Sequence, residues 1–437
     1  MALDYGYTIR IQSNGTSDPT KTPTNQWQRR LEGQPSFEDL VGETKEEYEV
    51  TADDQSAEIR LKQTFEAAVA YSNFLTVTSD SPSSIPPVKD GIRYLGDINS
   101  LGNGATIGGT MAPDGKIYCG PSYHRYIHAL DVVNEQIEQV ADTNDNSSNK
   151  WSSGVLHPNG HIYFPGFTSN KILKYNLTTK AISYISVSSS FSSLIGAQLA
   201  GNGKIYSVKT SYSGPQIMIL DPNDSDRVTG KSGLTGYAFP PCLHPDGNFY
   251  IMTSTGVWKY NPTYNSLSKI NSSVKAGTTS KLFSSCLSPD GNKIFFLASN
   301  YSYVQYYDVE KDTGGRISGV STSSSYNYWG MAQGPDDMLY STPMGQSNIL
   351  QIDPYNLTLS TIPIPAGTGG NRWRGIAAHS NGRVYGCPSD ARRFVEINIK
   401  GYGNHPYRGY ALNGPSFDMP GMPGDKIYVL SQYNNHN

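Results

Sequence analysis

Ala112–Pro113–Asp114–Gly115–Lys116–Ile117–Tyr118 is a stretch that the chain goes on remaking. His157–Pro158–Asn159–Gly160–His161–Ile162–Tyr163 follows, then Gly201–Asn202–Gly203–Lys204–Ile205–Tyr206 and His244–Pro245–Asp246–Gly247–Asn248–Phe249–Tyr250. Later versions end on Phe295, Tyr340, Tyr385 and Tyr428, so the closing aromatics are spaced by 45, 43, 44, 45, 45, 45 and 43 residues. Pro presets φ, Asp bonds the backbone two residues on, and Gly takes a positive φ at no steric cost, so each copy makes a tight turn. The residues after the turn alternate, which predicts a strand with Ile117 inward and Lys116 and Tyr118 outward. Small or apolar runs before each turn, such as Gly108–Gly109–Thr110–Met111, read as innermost strands crowded around an axis.

A second marker runs in step. Asp131, Asn176, Asp221, Asn261, Asp308, Asp353 and Asn398 each close an apolar segment, where an Asx side chain can cap the turn into an outer strand. Units of this length with four strands make propeller blades. The fold class is therefore all-β, a β-propeller of four-stranded blades, with eight blades expected and seven as the alternative. Ile92–Ile98 reads as an outer strand without inner ones, and Ser416–Leu430 as inner strands without an outer one. The ring is expected to close by joining these two halves, which removes exposed sheet edges.

The 437 residues divide into an extended acidic anchoring arm (1–54), a helix and linker (55–90) and the propeller (91–437). Glu32 to Glu58 carries ten acidic residues against the single Lys45, as a solvated segment or a docking arm for a basic partner would. Leu61, Phe65 and Val69 recur at helical spacing and predict an assembly helix over 55–73. The formal net charge is -3 and 16% of residues are charged, which gives no nucleic-acid footprint. No apolar run is long enough for membrane insertion. Met1–Tyr7 lacks the basic and apolar regions of a secretion signal, so cytoplasmic synthesis is expected. Cys119, Cys242, Cys286 and Cys387 show no metal spacing and read as buried free thiols.

The repeated turn, the following I-Y pair and the Asx-capped strand resemble the YVTN, NHL and virginiamycin B lyase-like propellers over about residues 92–437. The resemblance implies the fold. Members include streptogramin lyases, lactonases and binding scaffolds, so it implies no single activity.

Chemistry on such a ring would need polar groups converging on the axis. The inner-strand runs contain no carboxylate, which argues against a calcium- or magnesium-dependent lactonase. His157, His244 and His379 occupy one equivalent position in separate blades and read as structural. No catalytic residue, metal ligand or cofactor is expected. The candidate binding surface comprises Trp151, Tyr326, Tyr328, Trp329, Arg372, Trp373, Arg374, Tyr123 and His124, rings and polar tips suited to sugars or peptides. The resulting expectation is a non-enzymatic structural or binding propeller, held by its arm to other structural proteins of a larger particle. Abundant Tyr, Ser, Asn and Gly resemble a bacteriophage virion component, displayed outside after cytoplasmic synthesis. A glycan- or receptor-binding module is the alternative, and a lyase or lactonase stands behind both.

Overall fold

A computed structural model describes residues 106–210, 217–276, 282–298, 301–320, 327–334, 336–364 and 373–398, apart from 380–382, 390 and 392. It also describes 2–3, 7–14, 24–31, 33–44, 47–49, 54, 57–65, 68–71, 75–77, 91–96, 416–419 and 422–433. The regular elements of the described residues are almost wholly β, with a 3-10 turn at Ser189–Phe191. Eight four-stranded antiparallel sheets form, as the repeat predicts.

Seven of these sheets follow one another as the blades of a ring. Blade one runs Thr106–Met111, Lys116–Pro121, Tyr126–Asp131 and Gln136–Asp142, from the axis outward. Its turn behaves as the sequence reads, with Asp114 accepting from the Lys116 N–H at 3.2 Å. The Tyr118 hydroxyl also returns to Asp114 at 2.7 Å, and Tyr250 and Tyr340 repeat that bond to Asp246 and Asp336. The Asx caps form as well: Asp131 accepts from Asn134, Asn176 from Thr178 and Thr179, and Asp353 from Tyr355 and Asn356.

Tyr118 was expected outward, yet it is as buried as Ile117. The cause is that blades stack face to face, so a second strand has a neighbour on both sides. Tyr118, Ile127 and Ala129 join the core toward blade two, while Ile117, Cys119 and Leu130 join the core toward blade seven. Strands covered on both faces lose their alternation of polar and apolar positions, as central strands of doubly covered sheets do. All four cysteines are free thiols.

Ring closure corrects the expected pairing. Gly91–Leu95 forms the outer strand of blade seven, with Ile92 opposite Ile397, and does not join Ser416–Leu430. Arg93 secures it by a two-pronged contact, Nε to Glu396 Oε1 at 2.6 Å and Nη2 to Oε2 at 3.0 Å, while Nη1 reaches Glu135 of blade one at 2.6 Å. Glu396 is fully buried, and the guanidinium of Arg93, together with that of Arg383 and the Tyr385 hydroxyl, makes its charge tolerable there. The inner strand of blade seven lies directly against that of blade one, with no room for another blade between them. Of the eight four-stranded sheets, seven thus stand directly around the axis.

The eighth sheet is built from both termini: Ser416–Met419, Met422–Tyr433, Tyr7–Asn14 and Glu47–Glu49. A further six-stranded sheet takes in Thr24–Arg30, Glu58–Phe65 and Ala68–Tyr71. The helix expected over 55–73 is thus two strands. Ala57, Ile59 and Leu61 are all fully buried, so the period of two in A-E-I-R-L-K governs and the helical spacing through Leu61, Phe65 and Val69 does not. The acidic stretch finds its counter-charges nearby: Arg29 pairs with Asp54 at 3.0 Å, Arg30 bonds Glu58, and Lys62 lies 3.6 Å from Asp39. The described residues of 1–54 are mainly strands of these two sheets, where an extended arm was expected.

Candidate functional site

Each inner strand passes the axis at one equivalent residue, four before the turn's first position: Gly108, Ser153, Gly196, Pro240, Ser284, Gly330 and Gly375. In blades one, three, six and seven the strand bulges there. Gly375 has φ +117°, and a Cβ on it would stand 2.4 Å from the Cα of Gly108. Only glycine allows both that backbone conformation and that approach. The result is a narrow neck of small residues around a cavity of about 210 Å³, to which all seven inner strands contribute. Neither carboxylate nor imidazole is among its lining residues. Among the described residues no group of three His, Cys, Asp or Glu is placed to hold a metal ion.

The neck separates two faces. On the turn face the three equivalent histidines act as staples between blades. His157 Nε2 lies 3.1 Å from the Gly203 carbonyl, His244 Nε2 2.9 Å from Gly291, and His379 Nε2 2.9 Å from Gly115. In His157, Nδ1 accepts the Asn159 backbone N–H, so Nε2 carries the proton and donates it to the next blade. In His244, Nδ1 lies 2.9 Å from Asp246 Oδ1 as well as beside the Asp246 N–H. The structural reading of these residues holds.

On the opposite face, position relative to the bulge decides what each aromatic does. The residue two before it is buried between blades; the residue one before it can face the mouth. Trp151, Tyr328 and Trp373 share the first register and are at most 1% exposed. Trp151 donates Nε1–H to the Lys171 carbonyl at 3.1 Å and stacks on Tyr184. Trp373 donates to Arg393 at 2.9 Å and stacks on Tyr94 of the closing strand. The Tyr328 hydroxyl donates to Asn348. These three belong to the packing of the ring and not to a binding surface.

Trp329 and Arg374 share the second register, in adjacent blades six and seven. The Arg374 guanidinium carbon lies 5.6 Å from the Trp329 ring centre and 5.8 Å from that of Tyr123, which stands 37% exposed in blade one. Its Nε has no hydrogen-bond partner among the described residues. Three of the nine expected residues, from three blades, thus converge beside the cavity that Trp329 lines. Tyr326 and Arg372 lie outside the described residues. His124 flanks the same loop, its pKa lowered by burial and by Lys150. Lys150, not singled out by sequence, is fully buried and donates Nζ–H to the carbonyls of His124 and Ser147 at 2.9 and 2.8 Å. It ties down the loop that carries Tyr123, and burial lowers its pKa.

No family model and no curated protein matches the sequence. Solved structures do match in fold. A streptogramin B lyase superposes with a TM-score of 0.58 at 15% identity, covering 70% of this chain and 96% of its own. A catalytically inactive histidine-to-alanine variant of virginiamycin B lyase from Staphylococcus aureus, solved with quinupristin, gives 0.58 at 12%, covering 70% and 98%. A chain of the mitotic checkpoint complex gives 0.55 at 12%, covering 74% and 97%. The lyase-like propeller type expected from the repeat is shown. The expectation that the chain is not an enzyme is corrected by the same finding: two of these neighbours are lyases, so the fold supplies no case against catalysis. The likeness to bacteriophage virion components gains no support from these comparisons.

Proposed function

We propose that this chain is a ligand-binding propeller, held in a larger assembly by the sheets built from its terminal segments, with its ligand taken at the mouth framed by Tyr123, Trp329 and Arg374. The convergence of these three side chains from three blades carries the reading, because nothing in blade packing requires them to meet. Rings that are rigid and part-exposed suit a glycan or a receptor loop. The attachment half rests on Leu31 and Val41, 42% and 98% exposed on the N-terminal segment. Composition favours a particle surface such as a virion as the setting.

Trp329→Ala should weaken glycan or cell binding about tenfold or more, as loss of an aromatic anchor does, with no change in melting temperature. Trp151→Ala should do the reverse, lowering stability by about 3 kcal/mol or more through core loss and sparing the binding of the folded fraction. Equal binding by wild type and Trp329→Ala would end the mouth reading. Val41→Glu leaves the mouth intact and should release the protein from its native complex on co-purification.

A further inference from the structure

Arg374 is a cation without an anion. Among the described residues it makes no hydrogen bond and no ion pair; its contacts are the two rings on either side of it. Several other arginines of the ring meet a carboxylate, Arg93 at Glu396 and Glu135, Arg125 at Asp142 and Arg383 at Glu396, while Arg316 rests on the single Tyr303 ring. Arg374 differs in lying against rings from two other blades beside the axial cavity. A guanidinium held between two aromatic faces loses conformational freedom and hydration without gaining a counter-charge. Its Nε is shut off from solvent, although arginine offers a fixed fork of donors that fits carboxylate in two-pronged fashion. Next to it opens the axial cavity, whose wall carries Ile107, Ile195, Met331 and Ile376 and no acidic group. Ser284, also on that wall, has a buried hydroxyl with no partner. The site therefore has one unmatched positive charge at its rim, an unpaired hydroxyl within and apolar surface between them.

We propose that the axial mouth binds a carboxylate on a ring-bearing body, the carboxylate paired with Arg374 and the ring laid against Trp329 and Tyr123. An acidic sugar and a free aromatic acid share this chemistry. The proposal rests on the mouth being a binding site and adds the charge class of what it takes.

Calorimetry on the full-length chain tests it, with glucuronate, benzoate and glucose as probes. Glucuronate or benzoate should bind at least about tenfold more tightly than glucose, the scale of one charge-assisted, two-pronged contact. Arg374→Gln should remove that margin while glucose binding stays as it was. Arg374→Lys should keep part of it, since charge persists without the fork. Raising salt from about 0.05 to 0.5 M should weaken acid binding to the wild type, which needs no variant to fold. Preference for glucuronate assigns a glycan terminus, and preference for benzoate a small aromatic acid. The charge class is overturned if glucose binds as well as both acids, or if Arg374→Gln leaves acid binding unchanged. Tight glucose binding lost in Trp329→Ala would then preserve the mouth and discard only the anion. No binding of any probe, together with an inert Trp329→Ala in cell binding, would discard both.

Discussion

The two faces of the ring share every strand and differ in whether their polar contacts repeat from blade to blade. On the turn face, Asp or Asn bonds the turn backbone, Tyr hydroxyls return to it, and histidines reach across to the next blade. On the mouth face, Arg374 Nε is left unpaired, as are the hydroxyls of Ser122 and Ser389. Unpaired buried polar groups cost stability. They also occur near the turns, at Asn248 Oδ1 and the Tyr175 hydroxyl, so what sets the turn face apart is the recurrence of its bonds from blade to blade. The proposed binding mouth lies at the other end of the hole, where the repeat does not dictate the side chains.

The largest effect should come from the neck, on which both faces depend. Gly375→Val would place branched carbons against Gly108 at a positive φ, costing about 4 kcal/mol or preventing folding. Denaturant unfolding measures this, and a small change would mean that the faces are not rigidly joined.

His128 offers a sharper test within the seam between blades one and seven. It is fully buried with both ring nitrogens unpartnered, opposite Cys119 on the neighbouring strand. Burial, then the charge of His124, pushes its pKa down to about 4, and the nearby Tyr126 backbone, out of hydrogen-bonding geometry, offsets this only in part. Unfolded, the ring takes its proton near the ordinary 6.5. Between these values the unfolded chain binds more protons, so stability is full above about pH 6.5 and falls by about 3 kcal/mol as pH drops to 4. His128→Phe should flatten that slope in unfolding measured across the range. An unchanged slope would assign the acid sensitivity elsewhere.

His379→Ala should have the smallest effect, about 2 kcal/mol, by orphaning the Gly115 carbonyl across the closing seam. Glucuronate binding at the mouth should be untouched. Loss of binding would show that the faces are coupled and would break the contrast between them.

Much of the turn face was legible in the sequence because its interactions are local. Asp114 meets Lys116 two residues on and Tyr118 four residues on, and a repeat of about 45 residues prints that geometry again and again. The mouth was only partly legible. Trp329 and Arg374 were on the candidate surface, yet so were Trp151, Tyr328 and Trp373, which the blades bury. The distinguishing signal was present as distance from the bulge residue, one place or two, but its meaning depends on a bulge that a single strand's alternation does not reveal.

By itself the sequence determined the all-β class, the turn chemistry and the Asx caps, because each is fixed by residues close to one another along the chain, and the period, because that local pattern recurs. Only the tertiary structure decided that Gly91–Leu95 completes blade seven, that seven of the sheets stand directly around the axis and that Glu58–Phe65 is a strand. Those outcomes turn on partners far away along the chain, such as Arg93 and Glu396 at a separation of 303 residues. Burial on both faces of a strand, and the company a side chain keeps there, exist only once the neighbouring blade is in place.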